Sequence, residues 1–137
     1  MAALNIEFKN DINEISRLHP YFVELGQKAG IDEFTLDSLN LAVEEAVANV
    51  INYAYPPGQE GSVSIETPWD DKVITFVLTD NGIPFDPTKG GDADITLSAE
   101  EREIGGLGIF LVKSIMDSME YERTPDGRNV LTLKKNR

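Results

Sequence analysis

The stretch from Asp32 to Ala54 constrains the fold most, because its apolar residues recur at helical spacing and at no other. Leu36, Leu39, Val43, Val47, Val50, Ile51 and Ala54 fall on one side of a helix and leave the other side to different chemistry. Asp32 is placed to cap the start, and Pro56-Pro57-Gly58 ends it. A helix of that length with one apolar stripe must cover something, and the chain supplies strands. Ser62 to Thr67 and Lys72 to Thr79 read as two strands joined near Asp70-Asp71, and Val73 to Leu78 is apolar on both pleat faces, as a central strand would be. Asn5 to Phe8 reads as a first strand. Asp11 with Glu14 resembles a capping box and opens a helix that Pro20 should kink or split and Gly30 should stop. A third helix is expected from about Gly108 to Met119. A hairpin turning at Asp126-Gly127 closes the chain, with strands at about 120–123 and 129–134. Helices between runs of strands predict an α+β fold: a two-layer α/β sandwich, its sheet covered on one face.

Composition narrows the function. With 137 residues the chain fits one domain. It has no cysteine and one histidine, His19, which leaves no basis for a zinc site or a disulfide framework and no context for a Ser-His-Asp triad. No apolar run is long enough to span a bilayer and the start lacks a signal-peptide pattern, so the expected residence is cytoplasmic, without a membrane. A net charge of −12 disfavours direct nucleic-acid binding. It also repels a nucleotide triphosphate, which would bind only where backbone N–H groups and a metal ion offset its charge.

Three short elements can carry chemistry. Glu45 and Asn49 are four apart on the long helix, opposite its apolar stripe, with Leu41, Ala42, Ala48 and Asn52 around them. A carboxylate there can act as a base, and an amide oxygen suits Mg²⁺. The same pair also fits a solvated helix face. Asp80-Asn81-Gly82 follows the central strand: a carboxylate in that place can accept from an exocyclic amine, and Gly82 lets backbone approach a flat ring, while a plain Asx turn fits as well. Gly105-Gly106-Leu107-Gly108 opens the third helix and can turn N–H groups to an anion, or act as a hinge. It is neither a dinucleotide fingerprint nor a Walker A loop.

In order and together the three resemble a known family. Leu41 to Tyr55 resembles the N box of the GHKL ATPases (gyrase, heat-shock chaperones, histidine kinases, mismatch-repair proteins). Asp80 to Pro87 resembles their first glycine box and Gly105 to Asp117 their second. The wording is most similar to the anti-sigma-factor serine kinases of the RsbW and SpoIIAB type. The resemblance implies the Bergerat fold with a mixed, mostly antiparallel sheet, one histidine-kinase-like ATPase domain over 1–137, and a lid at about 86–104. It implies ATP and Mg²⁺, with Glu45 as general base, Asn49 holding the metal, Asp80 on the adenine amino group and Gly82 shaping its pocket. Gly105, Gly106, Leu107 and Gly108 would meet the phosphates, and Thr132 would lie near the adenine. The implied activity is serine/threonine phosphorylation of a STAS-domain anti-anti-sigma protein, with a sigma factor as second partner and a homodimer as one assembly state. The competing function is a nucleotide-gated module that sequesters a sigma factor or other partner without kinase activity. One departure favours it: family lids often carry a basic residue just before the glycines, whereas here Ile104 stands there and Arg102 is the nearest cation.

Overall fold

The computed structural model describes residues 2–90 and 106–137. Strand β1 spans Ala2–Lys9, and a 3-10 turn over Ile12–Arg17 leads into helix α1, Leu18–Ala29. Helix α2 follows at Glu33–Tyr53, then strands β2 (Ser62–Trp69) and β3 (Val73–Asp80) and a 3-10 turn at Pro87–Gly90. Helix α3 covers Gly106–Ile115, and strands β4 (Ser118–Arg123) and β5 (Asn129–Asn136) complete the sheet.

The expected stop of α1 and start of α2 are present, each with its physical cause. The Asp32 carboxylate accepts from the Thr35 N–H at 3.0 Å and so satisfies one of the free donors at the start of α2. Gly30 takes the left-handed conformation, φ 68°, that ends α1. The helix holding Pro20 does split. Its first part winds as a 3-10 turn, and Pro20 falls in the first turn of α1, where a missing N–H breaks no intrahelical bond. Asp11 and Glu14 make a variant of the capping box: Asp11 accepts from the Asn13 N–H, and Glu14 reaches back beyond the cap to the Lys9 N–H.

The sheet order is β1-β2-β3-β5-β4, with β3 in the centre as its apolar run predicts. Each of its four pairings is antiparallel, so the mixed character expected from the resemblance is absent among the described strands. Phe8, Val63, Ile65, Ile74, Phe76, Leu78, Leu131 and Leu133 point to the helical side and are buried. There they meet Leu18, Phe22, Leu25, Leu39, Val43 and Val47, with Phe22 stacked on Phe76 at 5.7 Å between ring centroids. The other face of β3 (Val73, Thr75, Val77, Thr79) is only half-buried, because none of the described helices covers it. Two boundaries differ from expectation. Met119 lies on β4, since the helix stops at Ile115 and Met116 turns into the core. Strand β2 runs past the expected Thr67 to Trp69, which packs at the edge of the core.

Candidate functional site

Helix α2 holds one wall of the site. Asn49 is only 5% exposed, and its Nδ2 donates to the Glu45 backbone carbonyl at 2.9 Å. Because that partner is a carbonyl, the amide nitrogen must face it and the amide oxygen must face away, free to take a donor or a cation. The start of α3 lies directly against this pair. A Cβ placed on Gly108 would be 2.8 Å from Glu45 Oε2 and 3.1 Å from Asn49 Nδ2. Only a residue without a side chain allows the opening turn of α3 to come so close to both. The first N–H groups of a helix have no intrahelical partner, and the dipole adds positive potential there. The structure therefore brings together a carboxylate, a side-chain amide and the opening turn of a helix with its backbone donors.

The half of α2 that faces away from the sheet is not one surface. Ala42 and Ala46 are fully buried, whereas Leu41 and Asn52 are exposed. Ala42, Ala46 and Asn49 lie at helical spacing on the side that meets α3, and their small size permits that approach. The sequence reading, which grouped Ala42 with Leu41 and Asn52 around the pair, is corrected on this point.

Asp80 forms the floor. It ends β3 on the helical side of the sheet, directly opposite Asn129 of β5, and is 5% exposed. Its Oδ1 accepts from the Gly82 N–H at 2.9 Å and from Asn129 Nδ2 at 2.8 Å. Among the described residues Oδ2 receives no hydrogen bond, which leaves it for an outside donor. Asn129 is itself fixed. Its Nδ2 also donates to the Ile83 carbonyl, and its Oδ1 accepts from the Tyr121 hydroxyl, the Arg123 guanidinium and the Phe85 N–H. Arg123 further donates to the Gly82 carbonyl at 2.9 Å. The sequence reading missed this network, and misplaced its β5 member. Thr132 lies on the half-buried outer face of the sheet, opposite Val77, so it cannot stand beside Asp80; Asn129 does.

Gly82 also makes a close approach that the sequence did not reveal. A Cβ there would collide with the Ala54 carbonyl, lying 2.8 Å from Ala54 C and 2.9 Å from Ala54 Cβ. Gly82 lets the loop dock on the end of α2, where the Ile83 N–H donates to the Ala54 carbonyl at 2.8 Å. That docking joins the two halves of the site, because Asn49 is five residues, about 7.5 Å along the axis, from Ala54. Tyr53 of α2 and Phe85 of the same loop also approach each other, 6.0 Å apart between ring centroids. Gly106 opens α3. Gly105 and Arg102, with the part of the 86–104 lid beyond residue 90, lie outside the described residues, as does the Leu107 side chain.

Burial pushes the Asp80 carboxyl above its ordinary range, against the opposing hydrogen bonds from Asn129 and Gly82 and the nearby charge of Arg123. Its charged form therefore costs the nucleotide-free fold stability at neutral pH. That cost falls away as pH drops through the raised pKa and is gone below the ordinary carboxylate range. Asn in its place keeps an oxygen for Gly82 and Asn129 without the charge. We expect Asp80→Asn to melt at a higher temperature than the wild type at neutral pH, with the gap closing on acidification. If the adenine amine meets Oδ2 as the resemblance implies, the same variant should also lose about tenfold or more in ATP affinity, having a donor in place of that acceptor. Thermal melts over a pH series, with and without ATP, check both effects.

A five-stranded sheet under helices, with a buried acceptor at a strand end and an acid and an amide beneath a glycine-started helix, has the build of a histidine kinase-like ATPase domain. The family model of that description matches residues 8–135. The chain belongs to this family and, within it, to the serine/threonine protein kinases of the RsbW type, which use ATP. It is 32% identical over 113 residues to the serine-protein kinase RsbW of Listeria monocytogenes, covering 74% of this chain and 72% of the relative. To the serine/threonine-protein kinase BtrW of Bordetella bronchiseptica it is 29% identical over 96 residues, covering 70% and 67%. To the anti-sigma F factor of Clostridium novyi it is 28% identical over 100 residues, covering 73% and 70%. The fold is also that of the crystal structure of the RsbU and RsbW domains of a Mycobacterium tuberculosis protein, with a TM-score of 0.68 at 15% identity; the match covers 100% of this chain and 33% of that longer one.

Proposed function

We propose that the protein transfers the γ-phosphoryl group of Mg·ATP to a serine or threonine hydroxyl of a STAS-domain anti-anti-sigma protein, and that it holds a sigma factor when that antagonist is absent. The observation that carries this reading is the contact of Gly108 with both Glu45 and Asn49, which sets a base beside the place where phosphates meet backbone donors. Glu45 takes the hydroxyl proton as the new O–P bond forms; the bond from the γ-phosphorus to the β–γ bridging oxygen breaks, and ADP leaves. The reaction needs alignment and charge neutralisation more than covalent help. Asn49 offers one amide oxygen, which suits an ion that keeps waters and phosphates as its other ligands and supplies neutralising charge when bound. Among the described residues no group of three His, Asp or Glu forms a metal cage, in keeping with a metal that arrives with the nucleotide. Asp80 Oδ2 accepts from the adenine amine. No described helix is long and apolar enough to cross a membrane, and a cytoplasmic setting fits the proposed partners.

The test is phosphate transfer from γ-labelled ATP. The STAS-domain protein should become labelled with Mg²⁺ present and remain unlabelled with EDTA. Tight partner binding with no label under any condition would select the non-catalytic sequestering module instead.

A further inference from the structure

The outer side of α2 ahead of Glu45 carries two apolar residues that the fold does not use. Phe34 is 82% exposed and Leu41 44% exposed. Single exposed apolar residues need no explanation. These two are in line with the proposed base: positions 34, 41 and 45 are separated by seven and four residues, which keeps them on one side of the helix. Leu41 is about 6 Å and Phe34 about 16 Å from Glu45 along the axis. We infer that this strip is where the phosphoryl-accepting protein docks, an inference that rests on the kinase reading above.

The direction of approach follows from what surrounds Glu45. Gly108 and Asn49 occupy its α3 side, where the triphosphate lies in the proposed mechanism. The sheet takes the opposite side of α2 through Val43 and Val47. An acceptor hydroxyl must therefore arrive from the solvent side, and a protein that presents it there covers Leu41 and, a further two turns on, Phe34. Charge defines that protein further. Helix α2 carries Glu33, Asp37, Glu44 and Glu45 and has neither lysine nor arginine. The docked surface is thus an apolar spot rimmed by Lys or Arg, next to the loop that bears the hydroxyl.

Phe34→Ser with Leu41→Ser tests this, since both residues are exposed and neither belongs to the core. Steady-state phosphorylation of a purified STAS-domain protein should show KM for that protein raised about tenfold or more. The Kd for Mg·ATP should be unchanged, and wild-type KM should rise with ionic strength. A KM within twofold of wild type, in a preparation that still binds Mg·ATP, would overturn the docking strip while leaving the kinase reading intact. Failure of the wild type to label any STAS-domain protein would overturn the kinase reading and the strip with it.

Discussion

Replacing Glu45 with Gln should lower the rate of phosphoryl transfer by about 10²–10⁴-fold, the range of a lost general base, while leaving Mg·ATP bound. Glutamine keeps the side-chain volume beside Gly108, so the close contact between α2 and α3 is preserved. It cannot accept a proton. Among the described residues the Glu45 carboxylate takes no hydrogen bond, so the fold loses nothing measurable. Removing a negative charge beside a triphosphate can only ease nucleotide binding, and the Kd for Mg·ATP should hold or fall. Glu45→Ala should be equally inactive. The informative measurement is single-turnover transfer at saturating nucleotide, because it separates the chemical step from binding. Transfer at the wild-type rate would remove Glu45 from the mechanism.

Gly82→Ala should be a severely damaging single methyl. The φ of Gly82 is not positive, so the problem is space and not backbone conformation. The added methyl meets the backbone carbonyl of Ala54, which belongs to the end of α2 and cannot swing aside as a side-chain tip would. Making room means lifting the loop, which breaks the Ile83–Ala54 hydrogen bond and disturbs the Gly82–Asp80 and Arg123–Gly82 bonds. Overpacking costs about 1–3 kcal/mol and each lost bond about 1 kcal/mol. A total of about 2–4 kcal/mol corresponds to a fall in Tm of roughly 10 °C in a chain of this size. ATP affinity should fall too, because the same loop holds Asp80. A melt within about 2 °C of wild type would show that the loop is not seated as described.

These two sites show how far sequence alone carries. Glu45 and Asn49 were legible because helical spacing fixes what shares a face, and that holds before any tertiary structure is known. Their meeting with Gly108 was implied only by resemblance, since nothing in the spacing of 45, 49 and 108 relates one helix to another. Gly82 was singled out for a flat ring, and its packing on Ala54 was not foreseen: a glycine signals close approach without saying what approaches. Asn129 was missed because its role depends on the pairing of β5 with β3, which sets it opposite Asp80. A partial signal existed. Leu131 and Leu133 mark the inward face of β5, and counting back by two lands on Asn129 and not on Thr132, which alternation turns outward. The purely antiparallel sheet was likewise beyond local pattern, since it follows from β4 taking the edge and β5 entering beside β3. Pro20 and Gly30 were read correctly because their effects are local.

The central claim is that α2, the start of α3 and the end of β3 enclose a single nucleotide pocket. Calorimetric titration with Mg·ATP tests it most directly when run on the wild type, Asp80→Asn and Asn49→Ala. We expect saturable binding by the wild type and weakened binding by both variants, one at the adenine end and one at the phosphate end. No heat of association for the wild type at millimolar Mg·ATP, or full affinity in both variants, would contradict it.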